Sequence, residues 1–195
     1  RDEKSLPLSP EIKAVLGIED DALSPADLIR AILKSEAELL YLGGIGTYVK
    51  AASETDLQVG DKANDAVRVD ANELRVKVVG EGANLGLTQA GRIAFARSGG
   101  RINTDAIDNS AGVDSSDHEV NIKILCGAVE AAGKLTRENR NTLLASMTDE
   151  VAAKVLVHNY DQTLAISLQE SSAVPDLDSH TRFMARLEQA GKLDR

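Results

Sequence analysis

The stretch VVGEGANLGLTQAGR (Val78–Arg92) passes from an apolar run through Gly82, Asn84 and Gly86 to Thr88 and a helix-like continuation. A turn that only reverses the chain needs one glycine. Here two glycines flank an asparagine, whose amide supplies both a donor and an acceptor. That pairing suits uncharged hydrogen bonding to a ribose hydroxyl or a carboxamide. The competing reading is an asparagine that bonds its own loop. Thr88 is expected to cap the helix that follows. A second stretch, GGIGT (Gly43–Thr47), has neither the Gly-Lys-Ser/Thr of a Walker loop nor the third glycine of GxGxxG. By itself it reads as a turn needing positive φ. Functionally, Gly43 and Gly44 would let a flat ring or a ribose lie against the main chain.

The third stretch, DAIDNSAGVDSSDHE (Asp105–Glu119), is dense in short polar groups. Its acids lack the spacing of a calcium loop, and their default reading is as helix N-terminal charges or caps. His118, His158 and His180 are far apart in the chain, with no HExxH and no cysteine partner, so no metal site is expected. Ser115 or Ser116 as a nucleophile would need an activating base, and no GxSxG elbow is present.

The elements around these stretches alternate. Ser9-Pro10 and Ser24-Pro25 open two short helices. ELLYL (Glu38–Leu42) reads as a buried strand ending at Gly43-Gly44, RVKVV (Arg75–Val79) as a second strand ending at Gly80, and RINTDAID as a third, broken by NSAG. Thr88–Arg97 is a helix between the last two. Strands alternating with helices imply a parallel sheet covered on both faces, with ligands at the strands' carboxyl ends. The glycine- and asparagine-bearing loops fall at those ends. From about Asp117 the pattern turns helical: Leu135–Glu170 fits either one long helix or two broken near Asn159, a loop surrounds Pro175, and Cys126 falls in a helix core. The resulting expectation is an α/β chain: a linker with helices (1–37), part of a Rossmann-like doubly wound parallel sheet (38–116), and a helical C-terminal region (117–195).

Whole-chain properties narrow the function classes. A net charge of −9 over 195 residues excludes the clustered cations of a nucleic-acid surface and disfavours anionic membrane. A single cysteine excludes an internal disulfide and reads as cytoplasmic. No apolar run approaches the roughly 20 residues of a spanning helix. The polar, proline-bearing start and the helical end imply a segment of something longer.

The blocks LLYLGGIGTYVKAASE, VKVVGEGANLGLTQAGR and GGRINTDAIDNSAGVDSSDHEVNIKIL resemble the large bacterial NAD-specific glutamate dehydrogenases, and the flanking LSPADLIRAIL and MTDEVAAKVLVHNYDQTLAISL resemble the family's neighbouring segments. The resemblance implies NAD as cofactor, with Asn84 and Asn109 beside the nicotinamide and its ribose and Gly43, Gly44 and Gly82 along the cofactor's path. Ser116 would help hold the substrate's side-chain carboxylate, and Glu119 matches the family's following glutamate. Ser110 and Ala111 depart from the Ala-Gly of smaller relatives, and Gly43-Gly44 stands where those have Pro-Ala-Ala. The family's catalytic Lys and Asp and its pyrophosphate loop precede the matched region. The implied whole-enzyme reaction is oxidative deamination of L-glutamate to 2-oxoglutarate and ammonia, in a homo-oligomer, with this segment inactive alone. The alternative is a non-catalytic α/β module that uses the same loops for a nucleotide or a protein partner.

Overall fold

The computed structural model describes residues 3–194; Arg1, Asp2 and Arg195, assigned above to the terminal linker and the helical region, lie outside the described residues. The chain divides into two units, the first ending at Val113 and the second beginning at Asp114.

In the first unit, β1 (Leu6–Pro7) and β2 (Ala22–Leu23) pair antiparallel around α1 (Pro10–Leu16), and α2 (Pro25–Leu33) follows. Both helices start as expected. The Ser9 and Ser24 hydroxyls accept the N–H groups of Ile12 and Asp27, and a proline occupies each first turn. Next come β3 (Leu39–Leu42), β4 (Val49–Lys50), α3 (Asp56–Val59), β5 (Val69–Asp70), β6 (Val78–Glu81), α4 (Gln89–Arg97) and β7 (Arg101–Ile102). The main sheet has the order β3-β6-β7, all parallel, with Leu39 opposite Val78, Leu42 opposite Glu81 and Val79 opposite Ile102. β4 and β5 form a second, two-stranded parallel sheet, and Val49 also bridges Leu87.

Strand alternation puts Leu42 and Val79 on the inner face, where they pack with Leu33, Val49, Leu87 and Phe95. The opposite face is bare among the described residues, which corrects two expectations, a sheet covered on both faces and a buried first strand: Leu39, Tyr41 and Val78 are 55%, 65% and 37% exposed, and of β3 only Leu42 is fully buried. Arg68 ties the segment between the sheets together. Its fully buried guanidinium donates to the Thr47 carbonyl (2.9 Å), the Asp61 carbonyl (2.6 Å), Asp56 (2.7 Å) and Asp65 (2.6 Å). Burial opposes its charge, but Asp65 and Asp56 overcome that and raise its pKa.

Past β7 lie α5 (Asp105–Asp108), α6 (Ser110–Ala131), α7 (Arg137–Ser146), α8 (Thr148–Ser172) and α9 (Leu177–Gln189). Cys126 and Val155 are buried, as apolar helix positions should be.

The structure corrects the sequence reading at five further places. The second strand is Val78–Glu81, not Arg75–Val79, because its partner β3 starts only at Leu39. RINTDAID is a strand for two residues only. Thr104 then adopts extended backbone at a helix N-terminus, and DAID winds into α5. NSAG likewise helps to start α6 rather than forming a loop, so Asn109 sits between two helices. α8 runs unbroken through Asn159, and the interruption falls at Met147. His118 and His158 are not apart in space: their rings stack with centroids 5.5 Å apart.

Candidate functional site

β3 and β6 end side by side, so their following loops leave the sheet at the same edge. The Ala83 N–H donates to the Leu42 carbonyl at 3.1 Å, which fastens the β6 loop to the end of β3. Tyr41 lies across the sheet's bare face beside Gly43, Gly80 and Gly82. A β-carbon on Gly82 would stand 1.9 Å from the Tyr41 hydroxyl oxygen, so this glycine admits the ring. Gly43 and Gly44 are exposed, with open space around Gly44.

The GEGAN loop is held from beneath by charge. Glu81 is fully buried, and Arg92 on α4 grips it at two points: Nε to Oε2 at 2.7 Å and Nη2 to Oε1 at 2.8 Å. Glu81 Oε1 also accepts the Leu87 N–H at 3.0 Å, which closes the loop on itself. The Glu81 hydrogen bonds raise the pKa of Arg92 despite its burial, and Asp105, 3.3 Å from Nη2, adds to the effect. Two-point pairing of this kind fixes orientation as well as charge.

Two acids of α5 hold the loop from the side. Asp108 accepts the Glu81 N–H at 3.0 Å, and Asp105 accepts the Leu85 N–H at 2.8 Å. Leu85 sits at φ 62, a left-handed conformation that costs a non-glycine residue about 1–2 kcal/mol. Thr88 caps α4 as expected, accepting the Gly91 N–H at 2.9 Å while donating to Glu54 at 2.6 Å.

The two asparagines singled out by sequence come together at the tip. Asn109 Nδ2 donates to Asn84 Oδ1 at 2.8 Å, across 25 residues. Neither side-chain amide makes another hydrogen bond among the described residues. Given that assignment of the amides, Asn84 keeps its NH2 group and Asn109 its carbonyl oxygen for a ligand. A primary carboxamide would complement that donor and acceptor. Ser116 stands exposed on α6 in the second unit, three residues before Glu119, which pairs with Lys123.

A family model described as the catalytic domain of bacterial NAD-glutamate dehydrogenase matches residues 1–169. The chain belongs to the bacterial NAD-glutamate dehydrogenase family. It is 55% identical over all 195 residues to the NAD-specific glutamate dehydrogenase of Halomonas elongata, and 55% over 195 to that of Pseudomonas aeruginosa. To the Mycobacterium tuberculosis protein of the same name it is 54% identical over 186 residues, 92% of this chain. It spans 12% of the length of each of these curated relatives.

Sequence reasoning missed the residues that support the GEGAN loop. Arg92 falls unmarked within the Thr88–Arg97 helix, and Asp105 and Asp108 read as helix charges. The sequence held a signal for the helix that carries the two acids, though none for their partners. Thr104-Asp105 is a helix-start pair, and Asp105 and Asp108, three apart on one short helix, share a face.

Proposed function

We propose that the first unit supplies the nicotinamide-side rim of a Rossmann-like coenzyme domain in an NAD-dependent L-glutamate dehydrogenase. The whole protein would convert L-glutamate to 2-oxoglutarate and ammonia in the cytoplasm as a homo-oligomer. In this reading Gly43, Gly44 and Gly82 leave the backbone open along the cofactor, Asn84 and Asn109 bond the nicotinamide end, and Ser116 contacts the substrate carboxylate. Residues elsewhere in the protein provide the acid–base chemistry.

The observation that carries the proposal is the Asn84–Asn109 hydrogen bond, made beyond the carboxyl ends of parallel strands, where ligands of open α/β sheets bind. The residues fit the cofactor. The exposed rim has an amide donor, an amide acceptor and two exposed glycines, while the nearby carboxylates of Asp105 and Asp108 are occupied by backbone N–H groups. NAD, when bound, accepts the hydride. The chain's own part is orientation: Glu81, Arg92, Asp105 and Asp108 hold the loop so that Asn84 need not reorganise on binding.

The test is Asn84→Ala in the full-length protein, assayed for glutamate-dependent NAD reduction. One or two uncharged hydrogen bonds, at about 0.5–1.5 kcal/mol each, predict a rise of roughly tenfold in KM for NAD. Unchanged KM and kcat would overturn the assignment.

A further inference from the structure

We propose that Asp114, His118 and His158 form a binding site for a divalent first-row cation of the zinc class, fastening α6 to α8 within the second unit. Asp114 and His118 are four residues apart on α6 and so share one face of it. His158 comes from α8, forty residues further on, and its ring stacks on that of His118 at an interplanar angle of 26°.

The donor atoms already stand at coordination spacing. Asp114 Oδ2 lies 2.8 Å from His158 Nδ1, and Asp114 Oδ1 lies 3.4 Å from His118 Nε2. One ligand atom from each residue can be chosen so that all lie within 4.8 Å of one another. A tetrahedral zinc with ligands at about 2.0–2.2 Å needs donors about 3.3 Å apart, so small side-chain adjustments close the set.

His118 distinguishes this site from an ordinary hydrogen-bonded trio. Its Nε2 is shielded from solvent and has no hydrogen-bond partner among the described residues, the 3.4 Å approach to Asp114 falling short of one. Buried nitrogens in native proteins are nearly always satisfied, and an ion is one of the things that satisfies them. Two imidazoles and one carboxylate are a donor set suited to zinc, with the remaining position open to water. That position is reachable, because the His158 side chain is 46% exposed. On binding, each imidazole presents a nitrogen lone pair to the metal and carries its N–H on the other ring nitrogen, and Asp114 exchanges its contact with His158 for the metal. No redox step is involved.

The test uses the full-length protein, stripped with chelator and then titrated with zinc(II), and separately with cobalt(II) as a spectroscopic probe. Single variants Asp114→Asn, His118→Gln and His158→Gln are compared with Lys123→Ala, a control on the same helix. Glutamine at His158 keeps a hydrogen-bond donor for Asp114 but is a poor metal ligand, so folding and coordination separate; circular dichroism checks the fold. Expected is one zinc per chain that the parent and Lys123→Ala bind and the three variants lose, with affinity falling at least about 100-fold, beyond the 10–100-fold cost of an outer-shell change. The matching cobalt visible bands should disappear in the same three variants. Equal zinc stoichiometry and affinity in parent and folded His158→Gln would overturn the proposal, as would a parent that binds no zinc at micromolar concentration. Neither result bears on the NAD assignment, whose residues lie in the first unit.

Discussion

Replacing Arg92 with Met should open the GEGAN loop by a calculable amount. The change deletes two charge-assisted bonds to Glu81, at 2.7 and 2.8 Å, and the 3.3 Å contact with Asp105, while keeping most of the aliphatic stem. Bonds to charged groups contribute about 1.5–3 kcal/mol each, and a buried pair broken from one side costs about 3–5 kcal/mol. The lower part of that range applies if the loop relaxes and admits water. The readout is hydrogen exchange by mass spectrometry on the peptide spanning residues 81–92 in the full-length protein, which reports local opening without requiring two-state unfolding. At about 1.4 kcal/mol per tenfold, exchange at Leu85 and Leu87 should accelerate roughly 150- to 4,000-fold. Glu81→Gln combined with Arg92→Met removes the stranded charge but leaves an oxygen for the Leu87 N–H, so the double variant should recover about 2 kcal/mol. Acceleration below about threefold in the single variant, or a double variant no better protected than the single, would refute the assignment of Glu81–Arg92 as the loop's anchor.

Two further outcomes follow from the same unit. Gly82→Ala must displace the Tyr41 ring, whose hydroxyl oxygen would lie 1.9 Å from the new β-carbon. Because that oxygen is the far end of a ring that is 65% exposed, the ring can swing aside, so loop protection in hydrogen exchange should fall by less than about 1 kcal/mol, and Tyr41→Ala in the same chain should abolish even that. The Asp61 carboxyl is held below the ordinary carboxylate range by the Thr47 N–H at 2.8 Å and the Asn64 amide at 2.7 Å. A depressed folded value means that its stabilisation is complete above the unfolded value of about 3.9 and is lost as pH falls through the folded one. Exchange in the Thr47 peptide should therefore rise on acidification below about pH 4, after correction for intrinsic rates, and Asp61→Ala should remove that pH dependence.

Local signals were readable wherever one residue type performs a local task. Ser9, Ser24 and Thr88 cap the helices they precede, and Leu39–Leu42 is a strand ending at a glycine pair. The reading failed where the decisive partner is distant in sequence. β4 and β5 are two residues each, too short to show any periodicity, and exist because they pair with one another and, through Val49, with Leu87. RINTDAID looked like a strand because Ile102, Ala106 and Ile107 are apolar, yet the helix-start pair inside it prevails. Asn84 and Asn109 were visible as candidate amides, whereas the acids and the arginine that hold the loop were not, since nothing local marks a carboxylate for a backbone N–H 20 or 27 residues away. His118 and His158 meet only because α6 packs on α8 within the second unit.

At the outermost tip the link between β6 and the α5–α6 junction is amide to amide, while every formal charge that braces it sits further in. Such a contact should respond little to ionic strength or to mild acid. It also greets a cationic aromatic ring and its neutral, hydride-bearing counterpart on nearly equal terms. For the ligand proposed here, those two neutral hydrogen bonds would fix position without themselves favouring one oxidation state, and leave that balance to the charged groups further in.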